Sequence, residues 1–182
     1  MRAFVIEQWL EALTTVDPAN VQKLERHSAI VAVGGTGRGE LAPYSDIDIM
    51  FLHEPSVSHE FKPVVNRCLH SLYDAQLELG RSVRTPKEAI VMALEDSTVA
   101  TSLIEMQPLW GSVELVGSLK RKFERKVVRS RRATFFESAI VNREEDVEKH
   151  GGAVQQLEPD IKCSRGGAFH QLHAVRGYQR DA

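Results

Sequence analysis

The sequence predicts an α/β or α+β protein with a helical C-terminal part, and three observations carry that expectation. Two β-branched apolar runs, "SAIVAVGG" at 28–35 and "DIDIMFL" at 46–52, are bounded by glycine or proline and read as strands. After them, apolar residues recur at helical spacing at Phe61, Val64, Val65, Cys68, Leu69, Leu72 and Tyr73, which predicts an amphipathic helix lying on the sheet. From Ser112 onward a long charged stretch reads as one or two helices running toward Lys149. Strand, helix and strand followed by helices make a mixed fold, with strand order left open by the pattern.

The remaining elements follow in order. Residues 3–14 predict a short helix with Phe4, Val5, Trp9, Leu10 and Leu13 as its apolar positions, broken by "DPAN". "LELGRSVR" at 77–84 predicts a third strand. "TPKE" opens a helix with Thr85 as N-cap, Pro86 at the first position and Glu88 at the third, a capping box. Asp96 is expected to cap a helix over "STVATSLIEMQPL". The Gly- and Pro-punctuated "HGGAVQQLEPDIKCSRGG" reads as a loop, and "AFHQLHAVRGYQRDA" as the start of a helix. This divides the chain into an N-terminal helical segment at 1–27, a core at 28–110 and a helical segment at 111–182.

Composition narrows the class. The 182 residues are 42% hydrophobic and 26% charged, ordinary for a chain with a real core. A net charge of −2 gives no overall pull toward nucleic acid or an anionic membrane. Cys68 and Cys163 stand far apart and form neither a disulfide framework nor a zinc motif, which fits a reducing compartment. No run approaches the ~20 apolar residues of a membrane span. The first residues, "MRAFVIEQWLEALTTVDP", lack the uninterrupted apolar stretch and cleavage site of a signal peptide. The expectation is a cytoplasmic, soluble protein with no membrane partner and no nucleic-acid partner.

The chemistry concentrates in "GGTGRGELAPYSDID" at 34–48. Asp46 and Asp48 are two apart on a strand, so both project to one side while Ile47 and Ile49 turn into the core. Their Cα atoms would stand roughly 6.5 to 7 Å apart. Carboxylates so spaced can converge on one divalent ion or bracket a pair about 3.5 to 4 Å apart. An oxygen-only ligand set favours Mg²⁺ or Mn²⁺ over zinc. Gly34 and Gly35, with Gly37 and Gly39 behind them, let backbone N–H groups approach phosphate oxygens. A short helix opened by "GRGEL" would add a favourable dipole. Arg38 could clamp phosphate through its planar fork, and Ser45 adds a hydroxyl beside the acids. A glycine turn alone, or two acids alone, would read as structure; strand, glycine turn, paired acids and strand together read as a phosphate-plus-metal site. There is no GxxxxGK[ST], and the glycines miss the GxGxxG spacing, so neither a Walker A loop nor a dinucleotide fingerprint is present.

The same segment, "VAVGGTGRGELAPYSDIDIMFL", closely resembles the nucleotidyltransferase core of the bacterial PII uridylyltransferase/uridylyl-removing enzymes. "LELGRSVRTPKEAIVMALEDSTVATSLIEMQPLWGS" is similar to that family's G-x-SVRT strand and D-x-TVAT helix, and "LEPDIKCSRGGAFHQLH" to its LEPN-IK-x-x-x-GG-L-R-D-L segment, so the resemblance runs from about Ser28 to about His173. It implies a polymerase-β-like core with a mixed sheet and an activity that moves UMP from UTP to a tyrosine of the PII protein, releasing pyrophosphate. On that view Asp46 and Asp48 hold Mg²⁺ as the catalytic acids, and Gly34, Gly35 and Ser45 face the triphosphate, to which the reading of the residues adds Arg38. Such an in-line displacement needs cations on the attacking and leaving oxygens.

There are departures. Thr36 stands where the family usually has an aromatic, Asp160 where it has Asn, and His170 where it has Asp. Glu78 is the positional candidate for a third carboxylate, with an exposed strand residue as the equal alternative. The family's enzymes continue into an HD phosphohydrolase domain and two ACT domains. The sequence stops before either, so UMP removal and glutamine sensing are expected to lie outside these residues. Two other readings stand beside the uridylyltransferase: a fragment that binds nucleotide or PII without turnover, and a minimal nucleotidyltransferase with a different acceptor. The basic run from Lys120 to Arg132 could meet PII, nucleotide phosphates or RNA. The preferred reading is a solvated helix that buries Leu119, Phe123, Val127 and Val128. His53, His59, His70, His150, His170 and His173 show no metal spacing and are expected at the surface or on helices.

Overall fold

The computed structural model describes residues 2–39, 47–75, 77 and 79–129. Its centre is a four-stranded mixed sheet in the order β3-β2-β1-β4. Strand β1 (Ser28–Ala32) pairs antiparallel with β2 (Ile47–His53), from Ser28 opposite His53 to Ala32 opposite Ile49. Its other edge pairs antiparallel with β4 (Gln107–Gly111). Strand β3 (Leu79–Arg84) runs parallel to β2, Ile47 opposite Leu79 and Leu52 opposite Arg84. A parallel pair needs a crossover, and helix α4 (Ser58–Asp74) supplies it.

The two central strands are apolar on both faces, so both faces must be covered. Ala29 and Val31 with Met50 and Leu52 pack against α5 (Pro86–Glu95), α6 (Ser97–Ile104) and α7 (Val113–Phe123). Ile30, Ile47, Ile49 and Phe51 pack against α1 (Arg2–Leu13), α2 (Pro18–His27) and α4. A short helix, α3 (Gly34–Arg38), follows β1 directly. The fold is α/β, as the sequence predicts.

The second core is built around Trp9, which is wholly buried. Its ring centroid lies 6.0 Å from that of Phe51, 5.6 Å from Phe61 and 5.2 Å from Trp110. These tilted and edge-on contacts join α1, β2, α4 and β4 through one side chain. Cys68 lies in the same core, and burial pushes its thiol up to about 12, so it is a packing residue.

Local signals placed most elements. Thr85 Oγ1 accepts from the Glu88 amide at 3.3 Å, while Glu88 Oε2 accepts from the Thr85 amide at 2.7 Å, closing the capping box. Asp96 accepts from Thr98 and Val99 at the start of α6. In α7 and the π-helical turn Glu124–Val128 that extends it, Leu119, Phe123, Val127 and Val128 are buried while Lys120, Arg121, Lys122, Arg125, Lys126 and Arg129 are exposed. The solvated basic face over a buried stripe is therefore the arrangement found. The rest of the basic run, Cys163 and the "LEPDIK" segment lie outside the described residues.

Four expectations are corrected. "DPAN" does not merely end a helix: Asp17 accepts from the Ala19 amide at 2.8 Å, Pro18 takes the first position, and α2 begins there. The helix after Asp96 stops at Ile104, and Gln107–Gly111 forms β4. Pro108 is tolerated because β4 is an edge strand. Leu10 and Tyr73 are 50% and 44% exposed, so they miss the buried faces of their helices. His53 is buried at the end of β2, with Nδ1 2.9 Å from the Glu54 carbonyl oxygen and its ring 5.3 Å from Phe61.

Truncating Trp9 to Ala should cost roughly 3 to 5 kcal/mol, read as a lowered urea midpoint. The Thr85 backbone and side-chain hydrogen bonds hold the Glu88 carboxyl below its ordinary value of 4.5. That contribution is present above the unfolded-state value and is lost as pH falls through the lower folded-state value. Glu88→Gln should therefore narrow the difference between unfolding midpoints measured at pH 7 and pH 3.

Candidate active site

The site forms where β1 ends and β2 begins. Val33 is extended (φ −128°, ψ 170°), and Gly34 then turns into α3 with φ +54°, a left-handed conformation that favours glycine. The helix closes at Gly39, φ +78°, whose amide returns to the carbonyls of Gly35 and Thr36. The glycines thus make up the helix itself, so the expected helix start at "GRGEL" is corrected: α3 starts at Gly34 and runs to Arg38. Its first amides, of Gly34, Gly35 and Thr36, have no intrahelical acceptor available. Gly37 sits so close to the chain after α6 that a β-carbon there would lie 2.0 Å from the Glu105 carbonyl oxygen.

Asp48 is the described acid of the pair. It follows Ile47 on β2, is partly exposed, and alternates with Ile47 and Ile49, each 1% exposed. This is the face alternation expected of the strand. Its backbone is fixed twice: the carbonyl accepts from the Val33 amide at 3.1 Å, and the amide donates to Thr36 Oγ1 at 2.9 Å.

The carboxylate lies between two glycines. A β-carbon added to Gly34 would stand 2.9 Å from Oδ2, and one added to Gly80 would stand 2.3 Å from Oδ1. Gly80 is the residue of β3 directly opposite Asp48 in the parallel register. Each carboxylate oxygen therefore fills space that any other side chain would take.

Of the residues expected at the site, Gly34, Gly35 and Asp48 come together, and Arg38 ends α3 partly buried. Ser45, Asp46 and Glu78 lie outside the described residues, as do Asp160 and His170. Among the described residues no group of three or more His, Cys, Asp or Glu is placed to hold a metal. The donor chemistry nonetheless fits a hard divalent cation, because Asp48 offers oxygen ligands in a cradle kept open by glycine.

Two contributors were not singled out by sequence reasoning. Gly80 had a signal, since an isolated glycine inside a strand marks a close approach. Thr36 had only its departure from the family's aromatic. It is completely buried, with its hydroxyl on the Asp48 amide.

Alanine at Gly37 must move backbone, and Gly37→Ala should lower stability by roughly 1 to 3 kcal/mol or more. Gly80→Ala meets a side chain that can swing away, so it should shift the unfolding midpoint less. Paired urea titrations of the two variants check the order.

Comparison with known proteins identifies the family. A family model described as a nucleotidyltransferase domain matches residues 19–147. The bifunctional uridylyltransferase/uridylyl-removing enzyme of Erythrobacter litoralis is 33% identical over 170 residues, covering 91% of this chain and 18% of that protein. The enzyme of the same name from Azospirillum brasilense is 38% identical over 138 residues, covering 76% of this chain and 15% of that protein. The chain thus spans less than a fifth of these two relatives. A solved toxin–antitoxin with AMP-PNP aligns with 72% of this chain and 96% of its own at 15% identity, TM-score 0.42. With a glycine turn, a strand-borne aspartate and a family match over residues 19–147, the chain belongs to the nucleotidyltransferase domain family.

Proposed function

We propose that this domain transfers UMP from UTP to a tyrosine of a PII-type signalling protein, releasing pyrophosphate, with Mg²⁺ or Mn²⁺ as cofactor. The single observation that carries the chemistry is the Asp48 carboxylate held between Gly34 and Gly80 at the mouth of the glycine turn. The uridylyl group rests on the relatives, which are uridylyltransferases by name, and the PII acceptor on the resemblance drawn from the sequence motifs.

In this reading Asp48, with Asp46 two residues before it, holds the cation, and Gly34 and Gly35 bring backbone amides to the triphosphate. Arg38 and Ser45 complete the phosphate contacts. The bound cation supplies charge neutralisation on the phosphate oxygens and the leaving group. The chain's own contribution is placement. β2 fixes Asp48, α3 fixes the amides, and the hydrogen bonds of Asp48 to Val33 and Thr36 set the distance between them. The cytoplasm is the compartment in which UTP and a PII-type acceptor would meet the domain. Among the described residues no helix is long and apolar enough to cross a membrane.

The test is transfer of label from α-³²P-UTP to a PII protein with Mg²⁺ present. Asp46→Ala/Asp48→Ala should reduce transfer by at least about a thousandfold, the scale on which removing charge stabilisation at a phosphoryl centre acts. Gly80→Ala, which crowds the same carboxylate from the opposite side, should reduce it by about tenfold or more with the protein still folded. Transfer undiminished in the double variant would sink the assignment of the acids. Transfer to another acceptor, with PII left unlabelled, would keep the nucleotidyltransferase and discard PII.

A further inference from the structure

We propose that Thr36 is a positioning residue for Asp48, and that Arg2 of helix α1 holds Thr36 in place from outside the catalytic segment. The inference rests on the reading of Asp48 as a metal-holding acid and adds to it two residues that act through others.

Thr36 is 0% exposed, and the Asp48 amide donates to its Oγ1 at 2.9 Å across a gap of twelve residues in sequence. The hydroxyl therefore ties the middle of α3 to the backbone of the acid-bearing strand. Even a part-buried amide loses free energy when left without an acceptor, so this bond fixes where Asp48 lies relative to the glycine turn. An aromatic at position 36 would carry no hydroxyl within reach of that amide. The bond is thus a property of this sequence.

Arg2 acts on the other end of Thr36. Its guanidinium Nη2 donates to the Thr36 carbonyl and, at 2.7 Å, to the Gly37 carbonyl. These carbonyls lie in the last turn of a five-residue helix, where a cation is favoured, and that of Thr36 also accepts from the Gly39 amide. The run from Arg2 through Thr36 to Asp48 is continuous: guanidinium to carbonyl, hydroxyl to amide. It crosses from α1, which packs on one face of the sheet, to an acid that projects on the other. A short glycine helix has little packing of its own to hold it. Two side-chain tethers at its middle and end supply what glycine lacks.

The experiment uses the whole chain and three single variants: Thr36→Val, which keeps shape and removes the hydroxyl, Thr36→Ser, which keeps the hydroxyl, and Arg2→Met. Two readouts are independent of turnover. The first is exchange of the Asp48 amide hydrogen by NMR, with Met50 of the same strand as internal control. The second is Mn²⁺ binding followed by electron paramagnetic resonance. Thr36→Val should speed exchange at Asp48 at least tenfold with Met50 unchanged, and should raise the Mn²⁺ Kd about tenfold. Thr36→Ser should restore both to within about threefold of the parent. Arg2→Met should shift both in the same direction as Thr36→Val. The double variant Arg2→Met/Thr36→Val should be no worse than Thr36→Val alone, because the two act along one run.

Equal acceleration at Asp48 and Met50 would overturn the proposal, since it would mean general loosening. So would an Mn²⁺ Kd unchanged in Thr36→Val, or a failure of Thr36→Ser to rescue. Loss of Mn²⁺ binding in Asp46→Ala/Asp48→Ala is scored separately and bears on the acids alone. If that double variant binds Mn²⁺ as the parent does, the reading of the acids fails, while the exchange arm still decides whether Thr36 fixes Asp48.

Discussion

A carboxylate has to stand at the rim of an apolar sheet, and most of the architecture follows from making room for it. Strand β2 is buried on both faces over most of its length, and Asp48 is the described position at which a charged group breaks that pattern. An ionised acid among packed side chains would be strongly disfavoured, so it must reach solvent or a cation. The fold meets this by removing side chains around it. Gly34 clears one oxygen and Gly80 the other, from opposite neighbours, one local in sequence and one across a parallel pair. The parallel pairing of β2 and β3 is consequently part of the site, since a shift of one residue would put Leu79 or Arg81 opposite Asp48. The α4 crossover and the core around Trp9 matter to the site in the same way, because they hold that register.

Much of this was legible in the sequence, and the limits are physical. The glycine turn and the acid-bearing strand were visible because each residue's role there is local: glycine tolerates φ above zero, and alternation puts Asp48 on the opposite side from Ile47 and Ile49. The capping box at Thr85 and the cap at Asp96 were visible for the same reason. What was missed depends on partners far away in the chain. β4 contains a proline and adjoins a helix pattern, and it becomes a strand only because β1 offers it an edge. His53 looks like a polar strand end until α4 brings Phe61 over it. Thr36 looks like a tolerated replacement until β2 delivers an amide to its hydroxyl. In each case local propensity was overridden by a tertiary contact that no window of the sequence contains.

The division of labour within the site also explains which substitutions are tolerable. Gly37 opposes backbone at Glu105, so its constraint belongs to the fold. Gly80 opposes the end of a side chain, so its constraint belongs to the Asp48 carboxylate. Two glycines with nearly the same crowding therefore have different consequences, which stability and activity measurements together separate. The same logic separates Thr85 from Thr36. Both hydroxyls accept a backbone amide, yet one begins a helix at the surface and the other joins α3 to β2 beside the acid.

A site of this kind determines reaction type more tightly than it determines the acceptor. On the proposed reading, glycine amides and strand carboxylates would meet a triphosphate and a hard cation, features common to every nucleoside triphosphate. The acceptor must be chosen by surface that lies away from the reacting atoms, since fold and reaction centre recur with many partners. On this domain the exposed cations of α7 and its π-helical extension, Lys120 to Arg129, are held outward by the burial of Leu119, Phe123, Val127 and Val128. Those apolar residues pack into the same core as Met50 and Leu52, the strand neighbours of Asp48 on its own face. The burial that sets the direction of the basic face is therefore continuous with the burial that sets the register of the acid. Substitutions on the exposed side of α7 therefore leave that shared core, and with it the register of Asp48, unchanged.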